Sequence, residues 1–275
     1  ATLLRDKDTR VLIDVGLSYR EVSRRLDQIE TDPASIDAIV ITHAHGDHTR
    51  GARLFSKRHS VPVYSTAAVR EEWDVQGLAD WRVLIPSQMQ DVGRLRFYSL
   101  VVPHDASQTV AFRIETSAGL VGFATDIGIL TDELIQLFQD CCVLAIESNH
   151  SVELLRVSPY AASIRTRIAS ANGHLSNEAL AEFIRTHLAG TVRCMVLVHL
   201  SRVNNVPEIA ELTCREALLA CGRGDVQVVV TRQDRVSSTV DLESLAMPRR
   251  SSSDWAQEGL PFAQLSAEKV SEAER

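Results

Sequence analysis

The sequence has no hydrophobic run long enough to cross a membrane. No apolar stretch reaches the roughly 18 residues that a membrane-spanning helix needs, and residues 1–5 have neither the basic start nor the apolar core of a signal peptide. From these absences we expect a cytoplasmic protein. Hydrophobic residues make up 45% and charged residues 24% of the 275-residue chain, which is the balance of a globular protein and excludes disorder as its main state.

Cysteine and lysine are both scarce. The five cysteines are an odd number and include no Cys-x2-Cys pair, so the sequence favours neither a disulfide framework nor a thiolate metal site. Of the 29 basic residues, 3 are lysines and 26 are arginines. Arginine suits bidentate contacts with phosphate, although the base composition of the source genome explains this bias equally well.

Charge is distributed unevenly along the chain. The formal net charge is −7, yet residues 151–202 contain six arginines and three glutamates, a local charge of +3. Such a stretch could face an anionic ligand, or it could be an ordinary solvated surface.

Short β-branched runs alternate with amphipathic segments, which predicts an α/β layered domain. Residues 2–13 are predicted to form a hairpin. Its strand pattern is present from the first residues of the sequence, so we expect a preceding strand to be missing. Further strands are predicted near 37–42, 61–64, 96–102, 109–115, 120–125, 142–147, 194–199 and 226–231. Helices are predicted after Ser18 and near 66–74, 131–139, 159–169, 176–189 and 206–220.

The sequence predicts one domain over residues 1–240, with no internal linker or repeat. From Pro248 onward the composition becomes Ser-rich and acidic with little periodicity. Residues 241–275 are therefore predicted to be a mobile C-terminal tail.

One segment carries most of the chemical information. A predicted buried strand over residues 36–42 runs directly into His43-Ala44-His45-Gly46-Asp47-His48. Imidazole and carboxylate together suit Zn²⁺, Mn²⁺ or Fe, and a tight turn after a strand lets all four side chains converge on one pocket. This pattern predicts a metal site.

Further ligands are expected at the ends of other strands. His104, Asp126 and His199 each follow a predicted strand, and open α/β sheets collect their ligands at strand ends. The set then holds five histidines and two aspartates, enough for two metals, and the two oxygens of Asp126 could bridge them.

These motifs resemble the metallo-β-lactamase fold, whose signature is His-x-His-x-Asp-His followed by single His, Asp and His ligands. The resemblance covers about residues 1–235 and implies a four-layer αββα sandwich with a dinuclear site at one edge. It also implies how the ligands divide. The first metal would be held by His43, His45 and His104, the second by Asp47, His48 and His199, and both by Asp126.

The remaining motifs are similar to those of the YycJ (WalJ) proteins, a group of DNA exonucleases related to tRNase Z. They include Pro103-His104-Asp105-Ala106, Glu147-Ser148-Asn149-His150 and Gly173-His174-Leu175-Ser176. In tRNase Z a Glu after a strand and a later His assist at the metal site, and Glu147 and His174 match those places. From the residues alone, Glu147 could orient a histidine, and His174 could protonate a leaving oxygen. The Gly/Ser-rich opening strand of the group is absent here.

We therefore predict a metal-dependent phosphodiesterase acting on nucleic acid, and specifically a DNA exonuclease. Asp47, Glu147 and His174 are its predicted catalytic residues. The predicted contacts to backbone phosphates are Arg156, Arg165, Arg167 and Arg202.

Two alternatives use the same metal site. One is a β-lactam or thioester hydrolase, which leaves Glu147, His174 and the arginines without a role. The other is a metal-stabilised binding protein without turnover, which a His/Asp cluster disfavours because structural zinc sites are closed and Cys-rich. Zn²⁺ and Mn²⁺ remain equally acceptable, and DNA versus RNA, the polarity of digestion and the oligomeric state stay open.

Overall fold

Two β-sheets form the centre of the fold in the computed structural model, which describes residues 1–73 and 77–246. The strands of the first sheet are β1 (Thr2–Asp6), β2 (Thr9–Ile13), β3 (Ala38–Val40), β4 (Val63–Ser65) and β5 (Trp81–Val83). Those of the second are β6 (Met89–Val92), β7 (Leu95–Val102), β8 (Thr109–Thr116), β9 (Gly119–Ala124), β10 (Val143–Glu147), β11 (Cys194–Val198) and β12 (Gln227–Val230).

Strand direction decides where the strand ends meet. In the first sheet, ordered β1-β2-β3-β4-β5, β1 and β2 form the predicted antiparallel hairpin and β2 to β5 run parallel. In the second, ordered β12-β11-β10-β9-β8-β7-β6, strands β6 to β9 are antiparallel and β9 to β12 are parallel. Consequently β7, β9, β10 and β11 all point the same way, and their carboxyl ends lie at one edge.

The helices connect the strands and cover the sheets. They are α1 (Tyr19–Gln28), α2 (Gly46–Thr49), α3 (Ala52–His59), α4 (Ala67–Glu72), α5 (Asp132–Leu137), α6 (Val152–Arg156), α7 (Ala162–Ile168), α8 (Asn177–His187), α9 (Pro207–Ala220) and α10 (Leu242–Ala246), with a 3-10 turn over Pro33–Ser35. Ser18 caps α1 and Ser176 caps α8. Each serine side chain accepts a hydrogen bond from the backbone N–H of the residue three positions later in the chain. In the described part of the chain, no helix is long and apolar enough to span a membrane.

Each sheet packs one face against helices. Leu12 and Ile39 of the first sheet share an apolar cluster with Val22 of α1 and Phe55 of α3. A second cluster joins β7 to β12 to helices α5, α8 and α9. The opposite faces of the sheets face each other, and the backbone N–H of Val110 donates to the carbonyl of Thr42 across the gap. This layering confirms the predicted four-layer αββα sandwich.

The sequence-based assignments differ from the structure in two respects. Helices α2, α3 and α6 and the short strands β5 and β6 were not predicted, because each is short or shows too few apolar residues in a regular period. The predicted tail over residues 241–275 lies almost wholly outside the described residues, apart from α10 at its start. The domain boundary near residue 240 remains a prediction.

Candidate metal centre

The seven predicted metal ligands lie together at the edge where the strands end. The loop after β3 supplies the first four, and each of β7, β9 and β11 is followed by one more. Ligand atoms of His43, His45 and His104 lie within 4.8 Å of one another, and so do those of Asp47, His48 and His199. These are the two groups that the resemblance implies, and two further groups overlap them: His43 and His48 with Asp126, and Asp126 with Glu147, His174 and His199.

Asp126 lies between these two groups. Its Oδ2 is 3.1 Å from Nε2 of His48, and its Oδ1 is 3.7 Å from Nε2 of His104. Because one oxygen faces a histidine of each group, the carboxylate is placed where it could contact two ions at once.

The loop that carries the first four ligands is buttressed by the chain after β2. His45 precedes the short helix α2, and the backbone N–H of Val15 donates to the carbonyl of His48 at 2.7 Å. A Cβ atom on Gly16 would lie only 1.3 Å from the carbonyl oxygen of Asp47, so this close approach requires glycine.

Three of the imidazoles are oriented by hydrogen bonds at Nδ1. The Nδ1 atom of His48 is 2.8 Å from Oδ2 of Asp14, that of His43 is 3.0 Å from Oγ1 of Thr42, and that of His104 is 3.1 Å from the carbonyl of Gly173. Such partners fix the ring and the tautomer of a metal-binding histidine.

The other nitrogen of each of these rings has no such partner. The Nε2 atoms of His43, His48 and His104 are buried and make no well-aligned hydrogen bond among the described residues, even though Oδ2 of Asp126 lies 3.1 Å from that of His48. Buried polar atoms are ordinarily satisfied, so three orphaned nitrogens at one place indicate a missing ligand. With carboxylates beside them, these donors fit divalent zinc or manganese.

Burial and the neighbouring carboxylates act in opposite directions on these rings. Burial lowers the pKa of His43 to about 4, and the nearby charge of His48 adds to that effect. Burial also opposes protonation of His48, but the carboxylates of Asp14 and Asp126 outweigh it and raise its pKa to about 10. In the metal-free protein, the proton is therefore favoured on His48 and disfavoured on the neighbouring His43.

The backbone is strained at the same edge. Asp14, Asp126 and His199 each follow a strand and each have φ of 56°, in the left-handed region that non-glycine residues seldom adopt. Such conformations cost about 1–3 kcal/mol and persist where surrounding structure imposes them, often at functional sites.

Glu147 and His174 lie beside the predicted ligands. Glu147 is the last residue of β10, and His174 lies in the loop before α8. Glu147 is fully buried, and its Oε1 lies 2.9 Å from Nδ1 of His174 and 2.8 Å from Nδ1 of His199. Its Oε2 accepts hydrogen bonds from the backbone N–H groups of Ile127 and Leu175. One carboxylate therefore orients a predicted ligand and the predicted proton donor together.

The four predicted phosphate-binding arginines have different surroundings. Arg156 pairs with Glu153 on the surface at 2.7 Å, and Arg167 pairs with Asp105. Arg165 donates to two backbone carbonyls of its own loop. Of the four, only Arg202 lines the open cavity beside His174 and His199.

Sequence reasoning overlooked two carboxylates at this site. Asp14 follows β2 and orients His48, while Asp105 lies with Oδ1 3.3 Å from Nε2 of His104 and 3.6 Å from Nε2 of His45. The signal that located Asp126, an acidic residue directly after a strand, also marks Asp14.

Comparison with known proteins places these features in a family. A family model described as "Beta-lactamase superfamily domain" matches residues 9–200. The exodeoxyribonuclease WalJ of Streptococcus pneumoniae serotype 2 is 28% identical over 245 residues, which cover 85% of this chain and 90% of that protein.

Solved structures show the same fold. The metallo-beta-lactamase fold protein YhfI from Bacillus subtilis has a TM-score of 0.66 at 18% identity, covering 86% of this chain and 90% of that one. The short form of human tRNase Z has a TM-score of 0.54 at 16% identity, covering 73% of this chain and 85% of that one. The resemblances predicted from the sequence are confirmed.

Proposed function

Because this chain belongs to the beta-lactamase superfamily and is a metal-dependent hydrolase, we propose that it cleaves phosphodiester bonds of DNA from a strand end with two divalent metal ions. One observation carries the proposal. Seven imidazole and carboxylate side chains converge at one edge, and the buried Glu147 lies beside them with its half-buried partner His174.

The ligands divide as the geometry groups them. His43, His45 and His104 would hold one ion; the other would be held by Asp47, His48 and His199, and Asp126 would contact both. When bound, two such ions lower the pKa of a water and neutralise charge on the attacking and leaving oxygens of a phosphodiester. Zn²⁺ and Mn²⁺ both suit this donor set.

The remaining side chains would donate or accept protons and hydrogen bonds during cleavage. With Nδ1 of His174 held by Oε1 of Glu147, its Nε2 is the atom free to give a proton to the leaving oxygen. Burial disfavours the charged form of that imidazole, but the hydrogen bond and negative charge of Glu147 outweigh burial and raise the pKa of His174. The carboxylate of Asp47, the most exposed of the ligand set, faces the opening and would accept a hydrogen bond from the attacking water.

Support for a DNA substrate comes from a relative. The exodeoxyribonuclease WalJ matches along nearly its whole length, so its named activity is the one we assign. A β-lactam or thioester hydrolase would use the same ligands but gives Glu147 and His174 no task. A binding protein without turnover would need neither the paired histidine nor the exposed carboxylate of Asp47.

The test uses the purified protein loaded with Zn²⁺ or Mn²⁺. It is assayed on end-labelled single- and double-stranded DNA, on RNA and on a chromogenic β-lactam, with Asp126→Ala prepared identically to exclude a contaminating nuclease. We expect DNA to be shortened from an end, at a rate that falls steeply with salt because phosphate contacts release counterions. Turnover of the β-lactam without cleavage of DNA would overturn the proposal, and so would tight DNA binding without cleavage under either metal.

A further inference from the structure

An open cavity of about 290 Å³ lies beside His174 and His199. Ile168 and Leu200 contribute apolar surface to its wall. The polar residues around it are Asn149, Tyr160, Ser201, Arg202, Asn204 and Gln233. A concave site with apolar walls and a few convergent polar groups is the usual form of a small-ligand site.

Asn204 is the most unusual of these residues. It is completely buried, and both its amide nitrogen and its amide oxygen have no hydrogen-bond partner among the described residues. Its neighbour Asn205 is also buried but donates to the carbonyls of Ser148 and Asn149. Buried amides are ordinarily satisfied, so the unpaired amide of Asn204, on the wall of this cavity, indicates a polar group that the side chain would meet on turning toward the cavity.

Arg202 supplies positive charge at the same cavity. Its side chain is exposed, and no carboxylate pairs with it in the part of the chain that the structure describes. The turn that carries it is fixed by Oγ of Ser201, which accepts hydrogen bonds from the N–H groups of Val203 and Asn204. An exposed arginine on a well-ordered turn, without an acidic partner, is suited to a phosphate.

Tyr160 places an aromatic ring on the cavity wall. Its loop is held by the guanidinium of Arg165, which donates to the carbonyls of Ser158 at 3.3 Å and Tyr160 at 2.7 Å. Aromatic side chains beside nucleic-acid sites stack on bases of any sequence. Arg165, predicted to bind phosphate, is here a residue that positions Tyr160.

We propose that this cavity binds a single nucleotide, the one that carries the leaving oxygen. Its base stacks on Tyr160, its phosphate pairs with Arg202, and a polar edge of the base or sugar hydrogen-bonds to Asn204. His174 lines the same cavity and is the donor to the leaving oxygen, which places the leaving nucleotide here. The assignment to the leaving side rests on the proposed function, whereas the presence of a nucleotide site does not.

The first experiment measures binding without hydrolysis. Isothermal titration of the metal-loaded protein with deoxynucleoside monophosphates is compared with titration with inorganic phosphate. Stacking is worth at least about 1 kcal/mol per base, so Tyr160→Ala should weaken nucleotide binding about fivefold or more, while Tyr160→Phe restores it. Inorganic phosphate lacks a base, so its affinity should not change in Tyr160→Ala.

Arg202→Ala tests the phosphate contact, and Arg215→Ala is its matched control, because Arg215 is an exposed arginine paired with Glu211. We expect weaker nucleotide binding only in Arg202→Ala. Asn204→Leu, of similar size, should weaken nucleotide binding while thermal denaturation shows that the fold is kept. Nucleotide binding equal to wild type in Tyr160→Ala and Arg202→Ala would overturn the site.

The second experiment separates this proposal from the proposed function. The kcat/KM of Tyr160→Ala should fall more on a single-stranded oligonucleotide than on bis-p-nitrophenyl phosphate, a diester without a nucleoside. An equal fall on both substrates would refute the assignment to the leaving nucleotide. If the wild type cleaves no DNA, the proposed function fails, and the titrations still decide whether the cavity binds nucleotides.

Discussion

Asp14→Asn is the substitution that best isolates how the second metal position is built. The Asp14 carboxylate is buried and accepts hydrogen bonds from the N–H and the hydroxyl of Thr42, while Nδ1 of His48 lies 2.8 Å from its Oδ2. Asparagine has the same shape and tolerates the φ of 56° at this position. The exchange therefore changes hydrogen bonding without straining the backbone, whereas alanine at this φ would strain it.

The amide cannot satisfy both partners of the carboxylate. If its NH₂ group faces His48, Nδ1 must become the acceptor and the ring proton moves to Nε2, the atom that faces the metal position. If its oxygen faces His48, the NH₂ group lies against the N–H of Thr42 and that hydrogen bond is lost. Loss of such an orienting partner typically costs 10- to 100-fold in metal affinity, about 1.4–2.8 kcal/mol.

Stability should fall as well. A hydrogen bond to a charged group contributes about 1.5–3 kcal/mol, which corresponds to a decrease in Tm of roughly 3–12 °C for a domain of this size. Metal affinity is measured by titration against a chelating dye, and Tm of the metal-free protein by circular dichroism. Asp37→Asn is the matched control, since Asp37 is an exposed aspartate that accepts a hydrogen bond from the N–H of Arg10. Two metals bound by Asp14→Asn with wild-type affinity would refute the orienting role of Asp14.

Three further predictions concern the metal centre itself. Asp126→Ala should lose one of two metals together with activity, as measured by metal analysis; a single ion in the saturated wild type would contradict the bridging role. His174→Ala should keep both metals while turnover on DNA falls about 10²-fold or more, the scale of general acid catalysis. Loss of a metal would instead make His174 a ligand, and an unchanged rate would exclude it as the proton donor. Finally, metal binding should release protons near pH 7 and weaken as pH falls. In the metal-free protein the pKa of His48 is raised to about 10, so a metal must displace its proton, whereas His43, with a pKa lowered to about 4, has none to lose. Calorimetry in buffers of different ionisation enthalpy measures the release, and none detected would contradict the protonation of His48.

The sequence by itself determined the class of fold and the identity of the candidate ligands. Strand patterns depend on local alternation of apolar residues, and His43, Asp126 and His199 lie one to three residues after such strands, so their meeting at a sheet edge could be inferred from neighbours in the chain. Helix α3 was missed because most of its eight residues are polar and only a short apolar face signals it.

Only the tertiary structure decided which partner each side chain has. Asp14 faces His48 from 34 residues away, Glu147 holds both His174 and His199, and Arg167 pairs with Asp105. Arg165 likewise donates to the backbone carbonyl of Tyr160 and holds that loop in place. Long polar side chains have many rotamers and several possible partners, and the choice among them is made by distances that packing sets after the strands and helices have met.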